Sequence, residues 1–276
     1  MNFAFLIFFV HPILLKLGPL TFYSYGLFLS LGFIIGAWIF YIQARQKKLD
    51  SEKIPDLLVW IVTASLIGSR ILHILINFSY YKENLSAIVK FWEGGASLYG
   101  GLLFGVTTGL FFLRKDKKNL LLWLDAAIFG LLSGISIGKI GCFLNGCCFG
   151  KPTTSFLGVK FPPLSEAYIL SGFSKVHPTQ VYEAIGYAIG LTILLAIEKK
   201  IKNIKPGILF LIGISLQSLV RFIVEYFRYH FELPVIQSSN FYLNITFTQI
   251  ICLGIIITSL LIYFFKTKNN GQRLSQ

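Results

Sequence analysis

The chain has 276 residues, of which 55% are hydrophobic and only 13% charged, and its mean hydropathy is +0.70. An ordinary soluble domain carries about 25% charged residues, so the solvent of this chain is mostly lipid. A formal net charge of +13, from 25 Lys and Arg against 12 Asp and Glu, would suggest nucleic acid in a soluble protein; here it points to orientation in a bilayer and to no nucleic-acid partner.

Residues 3–10 are apolar but short, with neither a basic stretch before them nor a small-residue cleavage site after them, and are expected to lie in the membrane interface. Seven apolar stretches near 22–42, 55–77, 96–113, 120–140, 180–197, 207–227 and 246–265 have about the length needed to cross hydrocarbon. Fifteen of the 25 basic residues follow spans one, three, five and seven; seven lie in the other connections and three within spans. The positive-inside rule then sets the N-terminus outside and the C-terminus in the cytoplasm. The expected architecture is an all-α polytopic transmembrane helical bundle of seven spans, forming one integral-membrane domain over 1–276. An outer-side connection is expected at about 141–177. Small residues at four-residue spacing (Gly32 and Gly36; Gly101, Gly105 and Gly109; Gly130, Gly134 and Gly138) predict close helix packing.

Ionisable residues within spans are functional candidates, because lipid makes them costly unless paired or wet. Arg70 falls late in span two, Lys139 at the end of span four, and Arg221 with Glu225 late in span six, all on helices running outward. Tyr25 and Tyr99 open spans that start outside. These marks converge on the outer leaflet, where three cations with few acids nearby would hold a phospholipid headgroup. The plain alternative is an Arg221–Glu225 pair at i,i+4 with the other cations snorkelling as anchors. In RFIVEYFR, Arg221, Glu225 and Arg228 share one helix face, so that Glu can hold one guanidinium while the other is left to fork onto phosphate.

GKIGCFLNGCCFG, residues 138–150, holds four glycines and an Asn, which predicts irregular backbone lining a cavity, with Asn145 presenting its amide. HPTQVYEA, residues 177–184, opens span five with Pro178 suited to a first turn, Gln180, Tyr182 and Glu183 as polar groups, and His177 as a structural or catalytic residue. Cys142, Cys147 and Cys148 form C-x4-C-C, unlike common zinc or iron–sulfur spacings, so no metal is expected. They read instead as a disulfide brace or as packed thiols, and Cys252, alone in span seven, as a packed thiol.

Tyr25-Gly26, GSR at 68–70, WEGGASLYGG at 92–101, GKIGCFLNGCCFG, HPTQVYE and RFIVEYFR, in this order, resemble the prolipoprotein diacylglyceryl transferase family over nearly the whole chain. The resemblance implies seven spans, a bacterial cytoplasmic (inner) membrane location and an active site facing the outer leaflet. It implies transfer of a diacylglyceryl group from phosphatidylglycerol to the lipobox cysteine thiol of a preprolipoprotein peptide, releasing glycerol phosphate without a cofactor. Membrane lipids and that peptide are the implied partners. Carried onto this chain, Tyr25, Tyr99, Arg221 and Glu225 are catalytic candidates. Arg70, Gly100, Gly101, Lys139, Cys142, Asn145, Gly150 and His177 are candidates for binding substrate. The chain departs from the family pattern at five positions: Lys139 stands for Arg, Cys142 for Asn, Cys147 for an acidic residue, Tyr99 for His and Gln217 for Tyr. Two rival readings remain: a phospholipid-using transferase with another acceptor, and a non-catalytic lipid-binding or redox-sensing membrane protein.

Overall fold

The structure, a computed structural model, describes residues 12–18, 20–90, 94–163, 165–172, 174–229 and 245–271. The expected interfacial segment 3–10 lies outside these residues, as do Trp92 and Glu93 of the Gly-Gly segment. An antiparallel hairpin of β1 (Ile13–Leu17) and β2 (Leu20–Tyr23) leads into α1 (Ser24–Gln46). After it come α2 (Ile54–Ile76), the short α3 (Phe78–Glu83), α4 (Leu98–Leu113), α5 (Leu120–Asn145), the short α6 (Glu166–Ser171), α7 (Thr179–Lys200), α8 (Ile208–Glu225) and α9 (Phe247–Gly271).

Six of these helices, α1, α2, α5, α7, α8 and α9, are long and apolar enough to cross a membrane. Helix α4 coincides with the third expected span but has 16 residues, about 24 Å of rise against about 30 Å of hydrocarbon. It starts only at Leu98 because Ser97 is still extended, at φ −100° and ψ 122°. Large apolar side chains such as Trp38 (64% exposed), Leu66 (64%) and Phe264 (64%) project from the helices, as lipid-facing positions should. The chain is a mostly helical, multi-pass membrane protein.

Two compact units divide the chain: one takes residues up to Gln43 and from Leu124 onward, the other Ala44–Trp123. In the second, α2 and α4 pack through small residues. A Cβ on Gly101 would lie 3.4 Å from the Ser65 carbonyl oxygen, and one on Gly109 would lie 3.2 Å from Ile61 Cδ1. The small-residue row on α4 thus faces α2. In the first unit the rows on α1 and α5 face each other, Gly32 against Gly134 and Gly36 against Gly130.

Behind that seam, Ile128, Phe129 and Leu132 of α5, Tyr187 and Leu194 of α7 and Leu209 of α8 form a buried cluster. Below it Asp125, 2% exposed, accepts hydrogen bonds from the Gly207 and Phe210 amides at 2.6 and 2.8 Å. A carboxylate from α5 therefore caps the N-terminus of α8, satisfying amides that its own helix leaves unpaired.

The expectation of irregular backbone across 138–150 needs correction. Helix α5 is regular through Asn145, and only the residues after it turn away, with Gly146 at φ +74° and Cys148 at φ +59°. Glycine is tolerated within this helix because helix packing uses it: a Cβ on Gly141 would lie 2.9 Å from Phe28 Cβ and 3.3 Å from the Tyr25 carbonyl. The described residues of the connection from Gly146 to Pro178 pack around Phe143, Phe149, Val159, Phe161, Ala167 and Val176, with Val159 and Val176 paired as an isolated bridge.

The Gly36–Gly130 contact gives a test. A Cβ on Gly36 would lie 2.7 Å from the Gly130 carbonyl oxygen, whereas one on Gly254 meets nothing within 4 Å. Gly36→Val is expected to destabilise the protein by about 2 kcal/mol and to lower its thermal transition in detergent, with Gly254→Ala unchanged. Equal transitions for the two variants would refute the packed seam.

Candidate active site

The last turns of α5, the first turns of α7 and the last turns of α8 bring four charged side chains together. Glu183, fully buried on α7, holds the Lys139 ammonium with Oε2 and Arg221 Nη1 with Oε1 at 2.6 Å. Arg221 Nη2 then reaches Glu225 Oε2 at 2.8 Å along α8. Glu225 is 3% exposed and also accepts from Thr246 Oγ1 at 3.3 Å, just before α9. Tyr187, one turn beyond Glu183, donates from its hydroxyl to Oε1 at 3.5 Å.

This corrects the expectation of a cation cluster with few acids. Two cations meet two carboxylates, and the acid that compensates them is Glu183, one turn into its helix. The arrangement still has donors to spare. A guanidinium has five N–H groups and an ammonium three, and the side chains of Lys139 and Arg221 keep 18% and 19% exposure.

Around this network the chain after α5 is tied to the start of α7. Thr179 Oγ1 donates to the Cys148 carbonyl at 2.7 Å and Gln180 Nε2 to the Cys147 carbonyl at 2.6 Å. Both side chains are fully buried, so these residues of HPTQVYE clasp the two cysteines by their backbone. Gly150 sits at a crossing of three segments: its amide donates to the His177 carbonyl at 2.9 Å, and Gly150 bridges Arg228. A Cβ there would lie 2.5 Å from the Phe227 carbonyl oxygen and 2.6 Å from His177 Cβ, so only glycine fits.

His177 Nδ1 lies 3.1 Å from the Tyr182 hydroxyl, and the ring packs edge-on against Phe227. Burial, and then the positive charge of Lys151, push its pKa below the ordinary value. Tyr25 opens α1 with its backbone against Gly141. Asn145 ends α5, and just beyond it the Cys147 thiol donates to the Cys142 carbonyl at 3.7 Å. Cys142, Cys147 and Cys148 are unbridged and half-buried, and their sulfurs all lie within 4.8 Å of one another.

Arg70, Tyr99, Gly100 and Gly101 belong to the other unit. Arg70 is 5% exposed, and its guanidinium nitrogens donate to the carbonyls of Ile88, Gly94, Gly95, Ala87 and Lys90. Those five bonds match the five N–H groups of the side chain. Arg70 thus cross-braces the loop before α4, while Tyr99 stands 59% exposed on its first turn. Gly100 packs closely on α2, where a Cβ would lie 2.7 Å from Leu72 Cβ.

Two buried acids of the first unit, Asp125 and Glu183, are not among the candidates expected from the sequence. The signal that singled out Arg70, Lys139, Arg221 and Glu225, an ionisable group within an apolar stretch, applied equally to both.

Comparison with known proteins gives the family. The family model described as prolipoprotein diacylglyceryl transferase matches residues 12–265. The chain is 27% identical over 261 residues to the phosphatidylglycerol–prolipoprotein diacylglyceryl transferase of Lactobacillus acidophilus, covering 94% of this chain and 91% of that one. It is 30% identical over 264 residues to the enzyme of that name from Listeria innocua, at 94% and 91% coverage. The Thermosynechococcus vestitus enzyme is 30% identical over 214 residues, at 78% and 80%. A match that runs through every segment of the site just described, over nine-tenths of the chain, makes this protein a member of the prolipoprotein diacylglyceryl transferase family.

Proposed function

We propose that this transferase moves the diacylglyceryl group of phosphatidylglycerol onto the thiol of a lipobox cysteine and releases glycerol phosphate. The setting is the bacterial cytoplasmic membrane, with seven spans including α4, the N-terminus outside, the C-terminus inside, and the site open to the outer leaflet. The chain acts as one integral-membrane domain whose 141–177 connection lies outside. The observation that carries this reading is the buried Lys139–Glu183–Arg221–Glu225 network.

Sulfur attacks the glycerol carbon that bears the phosphate ester, the carbon–oxygen bond breaks, and the electron pair leaves on phosphate oxygen. Charge therefore grows on the phosphate as the bond breaks. Lys139 and Arg221, fixed by Glu183 before substrate arrives, offer their remaining donors to that oxygen. Preorganised charge costs no reorganisation during the reaction, which is why a buried carboxylate pinning two cations suits phosphate departure. Glu225 holds the second Arg221 nitrogen, Asn145 and Gly150 shape the donor and acceptor path, Tyr25 supplies a hydroxyl, and Tyr99 is a further catalytic candidate. With its donors committed to carbonyls, Arg70 holds the loop that presents Tyr99, Gly100 and Gly101.

Purified protein reconstituted with phosphatidylglycerol and a synthetic lipobox peptide should yield a thioether adduct by mass spectrometry and an equal amount of glycerol phosphate. Arg221→Ala is expected to lower kcat/KM by about 100-fold or more, as for loss of one preorganised donor. Glycerol phosphate without an adduct would indicate another acceptor, and neither product from folded protein would overturn the reading.

The network also predicts a stability pattern. Glu183→Gln leaves Lys139 unpaired beside Arg221 and is expected to cost about 3 kcal/mol, read as a lowered thermal transition in detergent. Lys139→Met added to it leaves a neutral Arg221–Glu225 pair and should recover most of that loss. A double variant no more stable than Glu183→Gln would refute the coupling.

A further inference from the structure

The three-cysteine cluster is used neither by the charge network nor by the core. Its spacing, C-x4-C-C, is unlike the common zinc motifs, yet the fold brings the three sulfurs together. Cys142 lies in the last turn of α5. The Cys147 amide returns to the Cys142 carbonyl at 3.2 Å, and the left-handed residues Gly146 and Cys148 fold the chain back over the helix end. Residues five and six positions apart thereby face one another.

We propose that Cys142, Cys147 and Cys148 form a three-thiolate site for a soft divalent cation of the Zn2+ class, with the fourth position open to the acceptor thiol. The inference rests on the transferase reading above and supplies its nucleophile.

Three observations support it. Tetrahedral Zn–S bonds of about 2.3 Å place sulfurs about 3.8 Å apart, and these three lie within 4.8 Å, so small side-chain rotations close the set. Thiolate donors select soft ions over Mg2+ or Ca2+. The electrostatics fit as well: Lys139 and Arg228 both act on Cys148 as positive charges. Lys139, Arg221 and Arg228 against Glu183 and Glu225 leave one positive charge, which matches the single negative charge of three thiolates around a divalent ion.

The chemistry balances. Binding the ion releases three protons from the cysteines, and an incoming acceptor thiol at the open position releases a fourth. Its sulfur, held as thiolate at neutral pH, forms the bond to the glycerol carbon while the carbon–oxygen bond breaks. The electron pair leaves on a phosphate monoester beside Lys139 and Arg221. The neutral thioether is a poor ligand and departs.

Full-length protein, reduced and stripped of metal, would be titrated with Co2+ and read by absorption. One equivalent is expected to give sulfur-to-cobalt charge-transfer bands, weakened more than about tenfold in affinity by Cys142→Ser or Cys147→Ser and unchanged by Cys252→Ser. A lipobox peptide should shift the ligand-field bands, and its Cys→Ser analogue should not. In phosphatidylglycerol vesicles, Zn2+ should restore adduct formation to the stripped protein. Absence of charge-transfer bands, or thiols that react with maleimide only after reduction, would overturn the site. Bands indifferent to the peptide would overturn the open position. Adduct formed at full rate without metal and in Cys147→Ser would sink the inference while the transferase reading stands. No adduct under any condition, with the cobalt bands intact, would sink the transferase reading and the acceptor role while the metal site stands.

Discussion

A carboxylate buried between two cations in a lipid-solvated bundle is the constraint on which the first unit depends. Glu183 has no exposure, and an unpaired ion there would cost several kcal/mol. Its pairing with Lys139 and Arg221 therefore fixes where α5, α7 and α8 meet. Glu225 and Thr246 carry the same chain of polar contacts to the start of α9. Toward the opposite ends, Asp125 takes the first amides of α8. Asp125 and Lys139 are separated by about 21 Å of helix rise, so α5 and α8 are pinned near both ends with the apolar cluster between. The pinning also fixes direction: early α5 meets early α8 and late α5 meets late α8, so the two run parallel. Loop charge leads to the same parity for spans four and six.

Between these clamps the packing obeys lipid rather than water. Burying apolar surface earns little when the surroundings are equally apolar, so helices gain by close backbone approach. Gly32 and Gly36 on α1 against Gly130 and Gly134 on α5 show this in one unit, and Gly101 and Gly109 against Ser65 and Ile61 show it in the other. The same need for closeness sets Gly150, where a loop, the start of α7 and the end of α8 cross within the space of one Cβ.

Hydropathy and loop charge located six long helices and the shorter α4, because a span of about 20 apolar residues leaves few alternatives. The glycine rows were legible as rows, but their partners were not, since spacing along one helix says nothing of which helix faces it. Glycine content was misleading over 138–145: it was read as broken backbone, while the structure uses it for contact with α1. At the site, Lys139, Arg221 and Glu225 were legible as costly ions. Glu183 was named only as a polar group at a helix start, so the expected excess of cations dissolved once it was found between two of them. Arg70 carried the same signal for a different reason, since its five N–H groups meet loop carbonyls that no pattern in the sequence marks.

A Lys at position 139 suits the shape of its partner. A guanidinium surpasses an ammonium where it can fork onto both oxygens of one carboxylate. Glu183 offers no such fork here, because Arg221 Nη1 already occupies Oε1 and only Oε2 is left for Lys139. A point charge with three rotatable donors serves one oxygen as well as a planar fork would, and turns its remaining donors elsewhere. Positive charge at position 139 is what the carboxylate of Glu183 requires, and the charge alone, without the fork, satisfies it.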